Sequence, residues 1–283
     1  MTLPLSPRRW FLNAALAGLT GLLLACGKAA APSAPPSDAA HIPAAPARVY
    51  AVATDAVYAP FESLNERSEI VGFDIDVMRA VAERAGLQVK FVNTPWEGMF
   101  NTLAQGDSDI LVSAITITDE RRQSMDFSDP YFDARQLIAV RGDSPVTHFA
   151  DLKTLRVAVQ TGTTGDEAAT RLLGKTNSKL RRFESTPLAL AELQSGGVDA
   201  VVADNGVIAH HLAQHPGAGF KAVEDAEFVP ERYGLVVKKG RADLLARLNR
   251  GLAAIRADGT LAKIQARYFG TASGPTGAGE SKP

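Results

Sequence analysis

The sequence predicts an α/β protein built as two lobes about a hinge. Three observations lead there. A β-α-β-α-β series runs from residue 48 to 114, the same series recurs from 156 to 204, and two short apolar runs, 137–140 and 233–237, bracket the second series. At 283 residues the chain also exceeds what one hydrophobic core usually organises.

Residues 48–54 are a short β-rich run. Between 72 and 85, Ile75, Met78, Val81 and Ala82 recur at helical spacing, and Gly86 supplies the stop. Residues 89–92 form the next strand, 98–104 a short helix, and 110–114 a strand whose unbroken apolar character implies burial. Short connections between these elements predict a parallel sheet. The second series has strands at 156–160, 179–183 and 200–204, with helices at 165–173 and 187–195. If the two bracketing runs carry the chain out and back, the first lobe is discontinuous, 48–137 plus 233–270, completed by helices at 242–257 and 260–268. The second lobe is then 138–232. A double connection of this kind permits closure about a cleft.

The two ends stand apart from this pattern. Arg8-Arg9 precedes an apolar stretch from Trp10 to Ala25, which reads as an export signal over residues 1–25. Arg8-Arg9-Trp10-Phe11-Leu12 looks like a twin-arginine signal, and the stretch is shorter than the roughly twenty apolar residues a membrane span needs. Cys26, the one cysteine, follows Leu23-Leu24-Ala25, a setting that resembles a lipoprotein processing box. It is read as the lipidated mature N-terminus, attaching the protein to a membrane. Residues 26–47, rich in Ala, Pro and Ser, are expected to be a flexible tether, and 271–283 a disordered tail.

Composition narrows the function. With 46% hydrophobic and 22% charged residues and a net charge of -1, nothing suggests a nucleic-acid partner. Removing residues 1–25 takes two from the 30 basic side chains and none from the 31 acidic ones, which leaves a mildly acidic body. No Gly-rich phosphate loop, nucleophile elbow or Cys-His pair occurs, and no cofactor is expected. His211 and His215 have a spacing suited to metal beside His210, but no nearby Cys, Asp or Glu completes a tetrahedral set, so this is read as a solvated helix and no metal is expected.

Three motifs carry the functional signal: Thr54-Asp55-Ala56-Val57-Tyr58-Ala59-Pro60-Phe61-Glu62; Gly72-Phe73-Asp74-Ile75-Asp76; and Ala114-Ile115-Thr116-Ile117-Thr118-Asp119-Glu120-Arg121-Arg122, followed by Asp126-Phe127-Ser128-Asp129-Pro130-Tyr131. In this order and spacing they resemble the periplasmic polar-amino-acid-binding proteins of ABC importers, family 3 of the bacterial extracytoplasmic solute-binding proteins. Weaker likeness extends to Gly259-Thr260 and Tyr268-Phe269-Gly270. The resemblance implies a two-lobed periplasmic-binding-protein fold of type II, an extracytoplasmic monomer, and an ABC permease as partner.

An amino acid is a zwitterion, so its receptor needs a fixed cation for the carboxylate and a fixed anion for the ammonium. Arginine suits the first role because its planar fork makes two parallel hydrogen bonds. By resemblance Arg121 is that clamp, Thr116 adds a ligand contact, Ala114 offers a carbonyl to the ammonium, and Asp204 is the ammonium-binding aspartate. Thr163 and Thr164 precede a helix whose N-terminal amides favour an anion. Tyr58 and Trp96 fall where the family places aromatic walls, and Asp55 and Gln160 where it senses the ligand side chain. Asp55 favours a cationic or amide side chain over an acidic one. Gln160 and Ala203 replace the lysine and histidine of glutamine-specific members, which argues against a strict glutamine receptor; a basic L-amino acid is the expectation, with glutamine or another neutral polar amino acid as the alternative. An enzyme on the same fold, resembling cyclohexadienyl or arogenate dehydratases, is the rival of a different class. Such an enzyme would place an acid in the cleft, and the intact zwitterion set argues against it.

Overall fold

Two five-stranded sheets carry the fold, each with a parallel centre and antiparallel strands added on one side. The structure is a computed structural model and describes residues 48–270. The expected signal at 1–25, the lipidated Cys26, the tether at 26–47 and the tail at 271–283 lie outside the described residues.

In chain order the first segment contains β1 (Val49–Thr54), a small antiparallel ribbon of β2 (Val57–Tyr58), β3 (Glu62–Leu64) and β4 (Ile70–Val71), then α1 (Phe73–Ala85), β5 (Gln88–Asn93), α2 (Trp96–Gln105), β6 (Ile110–Leu111), α3 (Asp119–Ser124) and β7 (Met125–Phe127). The chain crosses on β8 (Phe132–Ala134) into β9 (Gln136–Arg141), a 3-10 turn (Phe149–Thr154), β10 (Val157–Gln160), α4 (Thr164–Leu173), β11 (Leu180–Phe183), α5 (Thr186–Ser195), β12 (Ala200–Asp204), α6 (Asn205–Gln214) and β13 (Phe220–Val223). It returns on β14 (Glu231–Tyr233) to β15 (Val236–Lys238), α7 (Ala242–Ala257) and α8 (Thr260–Phe269).

The first sheet has the order β5-β1-β6-β15-β7 and the second β11-β10-β12-β9-β13. The parallel sheet expected from sequence is therefore a mixed one in each lobe. The segments that leave and re-enter a lobe cannot run parallel to their neighbours: β15 is antiparallel to β6 and β7, and β9 to β12 and β13. β9 joins the second sheet from Gln136 onward, two residues ahead of the boundary suggested by the sequence. β8 and β14 pair with each other and form the crossing between lobes.

Local chemistry explains the main elements. α1 closes at Gly86 (φ 61), whose amide bonds back to Ala82 and Glu83. Its inner face, with Phe73, Ile75, Val77, Met78 and Val81 all inaccessible to solvent, packs on α7 and the first sheet. Burial of each such side chain contributes about 1.5–3 kcal/mol. α2 begins two residues earlier than its periodicity indicated, because Pro95 occupies the N-cap and places Trp96 inside the first turn. Trp96 is thus a helix residue packed against Met99, Leu103 and Leu111, not a loop residue as its polar neighbours suggested. α3 is too short to show periodicity; the Thr118 side chain caps it by accepting from the Arg121 amide.

Candidate ligand-binding site

The carboxyl ends of β1 and β6 in one lobe, and of β10 and β12 in the other, lead into the crevice where open α/β sheets collect ligands. All ten expected residues lie around one pocket there: Asp55, Tyr58, Trp96, Ala114, Thr116 and Arg121 from the first lobe, and Gln160, Thr163, Thr164 and Asp204 from the second, joined by Ser113. Its free space is about 20 Å³, roughly one water molecule. Any organic ligand must therefore separate the two walls to enter.

Arg121 projects from α3 across the crevice. Its Nη1 donates to the Thr116 carbonyl at 2.9 Å and its Nη2 to the Gly162 carbonyl of the other lobe at 3.2 Å. The guanidinium carbon lies 5.4 Å from the Trp96 ring centroid and 5.9 Å from that of Phe100. Among the described residues it has no ion-pair partner within bridging distance. Burial pulls its pKa below the ordinary value, although Glu167, Glu231 and Asp204 act in the opposite direction. A desolvated cation satisfied only by carbonyls is suited to receive an anion. Gly162 adopts φ 70, a left-handed conformation glycine enters without a Cβ penalty, and this aims its carbonyl at Arg121.

Asp204 ends β12 and sits at the N-cap of α6, yet its side chain makes no capping bond. Instead Oδ2 accepts from Tyr58 OH at 2.8 Å and Tyr233 OH at 2.7 Å, while Oδ1 accepts from Gln136 Nε2. Burial raises its pKa against these three donors and the Arg121 charge. Asp55 is also raised by burial; its Oδ2 accepts from the Trp96 amide at 3.2 Å.

The remaining expected residues are less free. Thr116 Oγ1 and Thr164 Oγ1 both donate to Glu231 Oε2, at 2.7 and 2.9 Å. Thr163 caps α4, accepting from the Asp166 amide. The Gln160 amide is engaged by the Glu184 carbonyl and by Thr186. Ala114 stands at φ 47, held by its amide donating to Asp74 Oδ2 at 2.6 Å. His211 and His215 have ring centroids 4.4 Å apart, and His215 Nδ1 meets the His211 carbonyl.

Sequence reasoning missed Ser113, Gln136, Glu231 and Tyr233. Gln136 and Tyr233 complete the set of donors on Asp204, and Glu231 joins both lobes through the two threonines. Burial raises the Glu231 carboxyl, as does the nearby Asp204. The available signal was a polar residue heading an apolar run, as Gln136 does, and a carboxylate two positions before Tyr233 on the same strand face. Beyond Glu231 lies an open cavity of about 670 Å³, walled by Phe149, Arg171 and Phe228 among others. Arg121, Asp55 and Asp204 do not line it, so the smaller interlobe pocket is the candidate site.

Two α/β lobes joined by a double crossing, with a charged pocket between them, define a hinged periplasmic-type binding protein. The model of the bacterial extracellular solute-binding proteins, family 3, matches residues 50–271, and the chain belongs to that family. It is 42% identical over 268 residues to "Probable histidine-binding protein" of Neisseria gonorrhoeae, covering 94% of this chain and 97% of that one. It is 32% identical over 216 residues to "ABC transporter arginine-binding protein 1" of Escherichia coli (strain K12), covering 76% and 88%. The crystal structure of the arginine-, lysine-, histidine-binding protein ArtJ from Geobacillus stearothermophilus superimposes with a TM-score of 0.76 at 41% identity, covering 79% of this chain and 96% of that one. The chain is a solute-binding protein of the type II two-lobed fold and not an enzyme.

Proposed function

We propose that this protein binds a basic L-amino acid between its lobes and delivers it to the permease of an ABC importer. Charge count carries the reading. The pocket is lined by one cation without an ion-pair partner among the described residues, Arg121, and by two carboxylates on different lobes, Asp55 and Asp204. That set complements a ligand with one carboxylate and two cationic groups. Arg121, Thr116 and the Thr163–Thr164 turn take the carboxylate; Asp204 and Ala114 take the ammonium. Asp55, Tyr58, Trp96 and Gln160 surround the side chain. Relatives named for binding histidine and arginine point the same way.

The lobes divide near 48–137 plus 233–270 against 138–232, and the protein acts as an extracytoplasmic monomer. Export by the signal at 1–25 and lipidation of Cys26 attach it to a membrane surface. The test is isothermal calorimetry on the protein freed of co-purified ligand by unfolding and refolding, against the common L-amino acids, ornithine and citrulline. Tight binding restricted to arginine, lysine, histidine or ornithine is expected. Equal binding of glutamine keeps the transport role and overturns the cation site, and silence across the panel overturns amino-acid binding.

A further inference from the structure

Glu62, on β3, and Asp74, in the first turn of α1, are both inaccessible to solvent and neighbour each other behind the pocket wall, tied to the consecutive residues Ser113 and Ala114. Donors from elsewhere leave one oxygen of each without a partner. Ser113 Oγ donates to Glu62 Oε1 at 2.7 Å, and Ala114 N and Tyr131 OH donate to Asp74 Oδ2 at 2.6 and 2.7 Å. Glu62 Oε2 and Asp74 Oδ1 are buried and accept no hydrogen bond. The titratable groups facing the pair are Asp55, Tyr58 and Tyr131, and no arginine, lysine or histidine bonds to either carboxyl among the described residues. Two neighbouring carboxyls in an apolar interior cannot both ionise, and a proton on one of them turns an orphaned acceptor into a donor for the other.

We propose that Glu62 and Asp74 share one proton at neutral pH, carried mainly by Glu62, and that this pair is the positioning element for Ser113 and Ala114 in the pocket wall. Asp74 keeps the negative charge because it has two outside donors and the positive end of the α1 dipole, whereas Glu62 has one hydroxyl donor. The charged Asp74 oxygen holds the Ala114 amide and with it a left-handed backbone that a residue with a Cβ rarely adopts. Glu62 Oε1 accepts the hydrogen bond of the Ser113 hydroxyl, which leaves the Ser113 oxygen to accept from the Asp55 amide at 3.1 Å. One proton therefore fixes two consecutive residues of the wall and spares Asp55 a second buried negative neighbour. Burial, then the Asp74 charge, hold the Glu62 carboxyl well above its ordinary range, whereas the Ala114 amide and the Tyr131 hydroxyl oppose the effect of burial on Asp74.

The effect on affinity rests on the amino-acid-binding role, whereas the proton is read without ligand. Carboxyl-carbon NMR of protein labelled in Glu and Asp tests it, the Glu62 resonance being identified by its loss in Glu62→Gln. That resonance is expected at the protonated position at neutral pH, where a free glutamate, of pKa about 4.3, is ionised. Finding both carboxyls ionised overturns the proposal. Because the folded pair retains a proton the unfolded chain releases, unfolding free energy of the wild type falls as pH rises from 4.5 through the raised folded value of Glu62, and Glu62→Gln lacks that contribution to the slope. An unchanged slope in the variant also overturns it. For L-arginine, Glu62→Gln, whose amide supplies a permanent donor to Asp74, keeps affinity within about threefold, while Glu62→Leu loses about tenfold or more. Equal losses in both variants overturn the positioning role. Should Glu62→Leu not fold, the glutamine variant and the resonance decide. A wild type that ignores every amino acid but shows the protonated resonance refutes only the ligand assignment.

Discussion

The Tyr58 hydroxyl of the first lobe donates to Asp204 Oδ2 of the second across 2.8 Å, so the two walls of the pocket meet on one carboxylate. With Tyr233 and Gln136 also donating, three of about four acceptor positions on Asp204 are filled, which leaves one for an ammonium. The protein thus supplies most of the solvation of this buried anion and leaves its charge for the ligand.

Asp204→Asn retains size and part of the hydrogen bonding but removes the charge. Affinity for L-arginine is expected to fall by about 1.5–3 kcal/mol, the range for hydrogen bonds to charged groups, with the fold intact by circular dichroism. Calorimetry showing wild-type affinity would remove Asp204 from the ammonium site.

Arg121→Ala is expected to cost several kcal/mol of affinity, because it leaves a desolvated ligand carboxylate unpaired. Arg121→Lys recovers little of it. A lysine lacks the fork that spans the Thr116 and Gly162 carbonyls while facing a carboxylate. Full recovery with lysine would reduce the clamp to a simple point charge.

Asp55→Asn should separate ligands by charge. Loss of about 1.5–3 kcal/mol for L-arginine, with a smaller change for L-glutamine, is the expected calorimetric pattern. Parallel losses for both would mean that Asp55 acts by holding the Trp96 amide instead of reading the ligand.

Acid-base behaviour follows from two opposed sets of carboxyls. Asp55, Glu62, Asp74, Asp204 and Glu231 are raised above 3.8 or 4.5, chiefly by burial. Their favourable contribution is complete below those ordinary values and is lost as pH rises through the folded values. Asp126, Asp151, Asp199, Asp225 and Asp258 are lowered by hydrogen bonds, and their contribution is lost as pH falls below 3.8. Stability without ligand should therefore peak at about pH 4–5. Added L-arginine should flatten the decline above the peak by neutralising Asp55 and Asp204. Thermal unfolding across pH checks both, and a maximum at alkaline pH without ligand would contradict the burial of these acids.

The alternation of elements was legible from periodicity where the helices and the sheet strands are long enough to repeat their pattern. β12, Ala200–Asp204, falls where the apolar run placed it. Short pieces were not: β2 and β4 have two residues each and α3 six, below the length at which a period can be read. The pocket residues were accessible through motifs close in sequence, such as Ala114 to Arg121. Gln136, Glu231 and Tyr233 were not, because their meaning arises only when β9 and β14 bring them to Asp204 and the threonines. Trp96 misled through its polar neighbours, which belong to a helix start.

β15 is inserted between β6 and β7 in the first sheet, although it follows the whole second lobe in sequence. A nascent chain that has reached Val223 already possesses all five strands of the second sheet, while the first sheet still has a gap in its middle. The lobe begun first is the last that can be finished, and until Lys238 is available β6 and β7 present edges to whatever other strands are at hand.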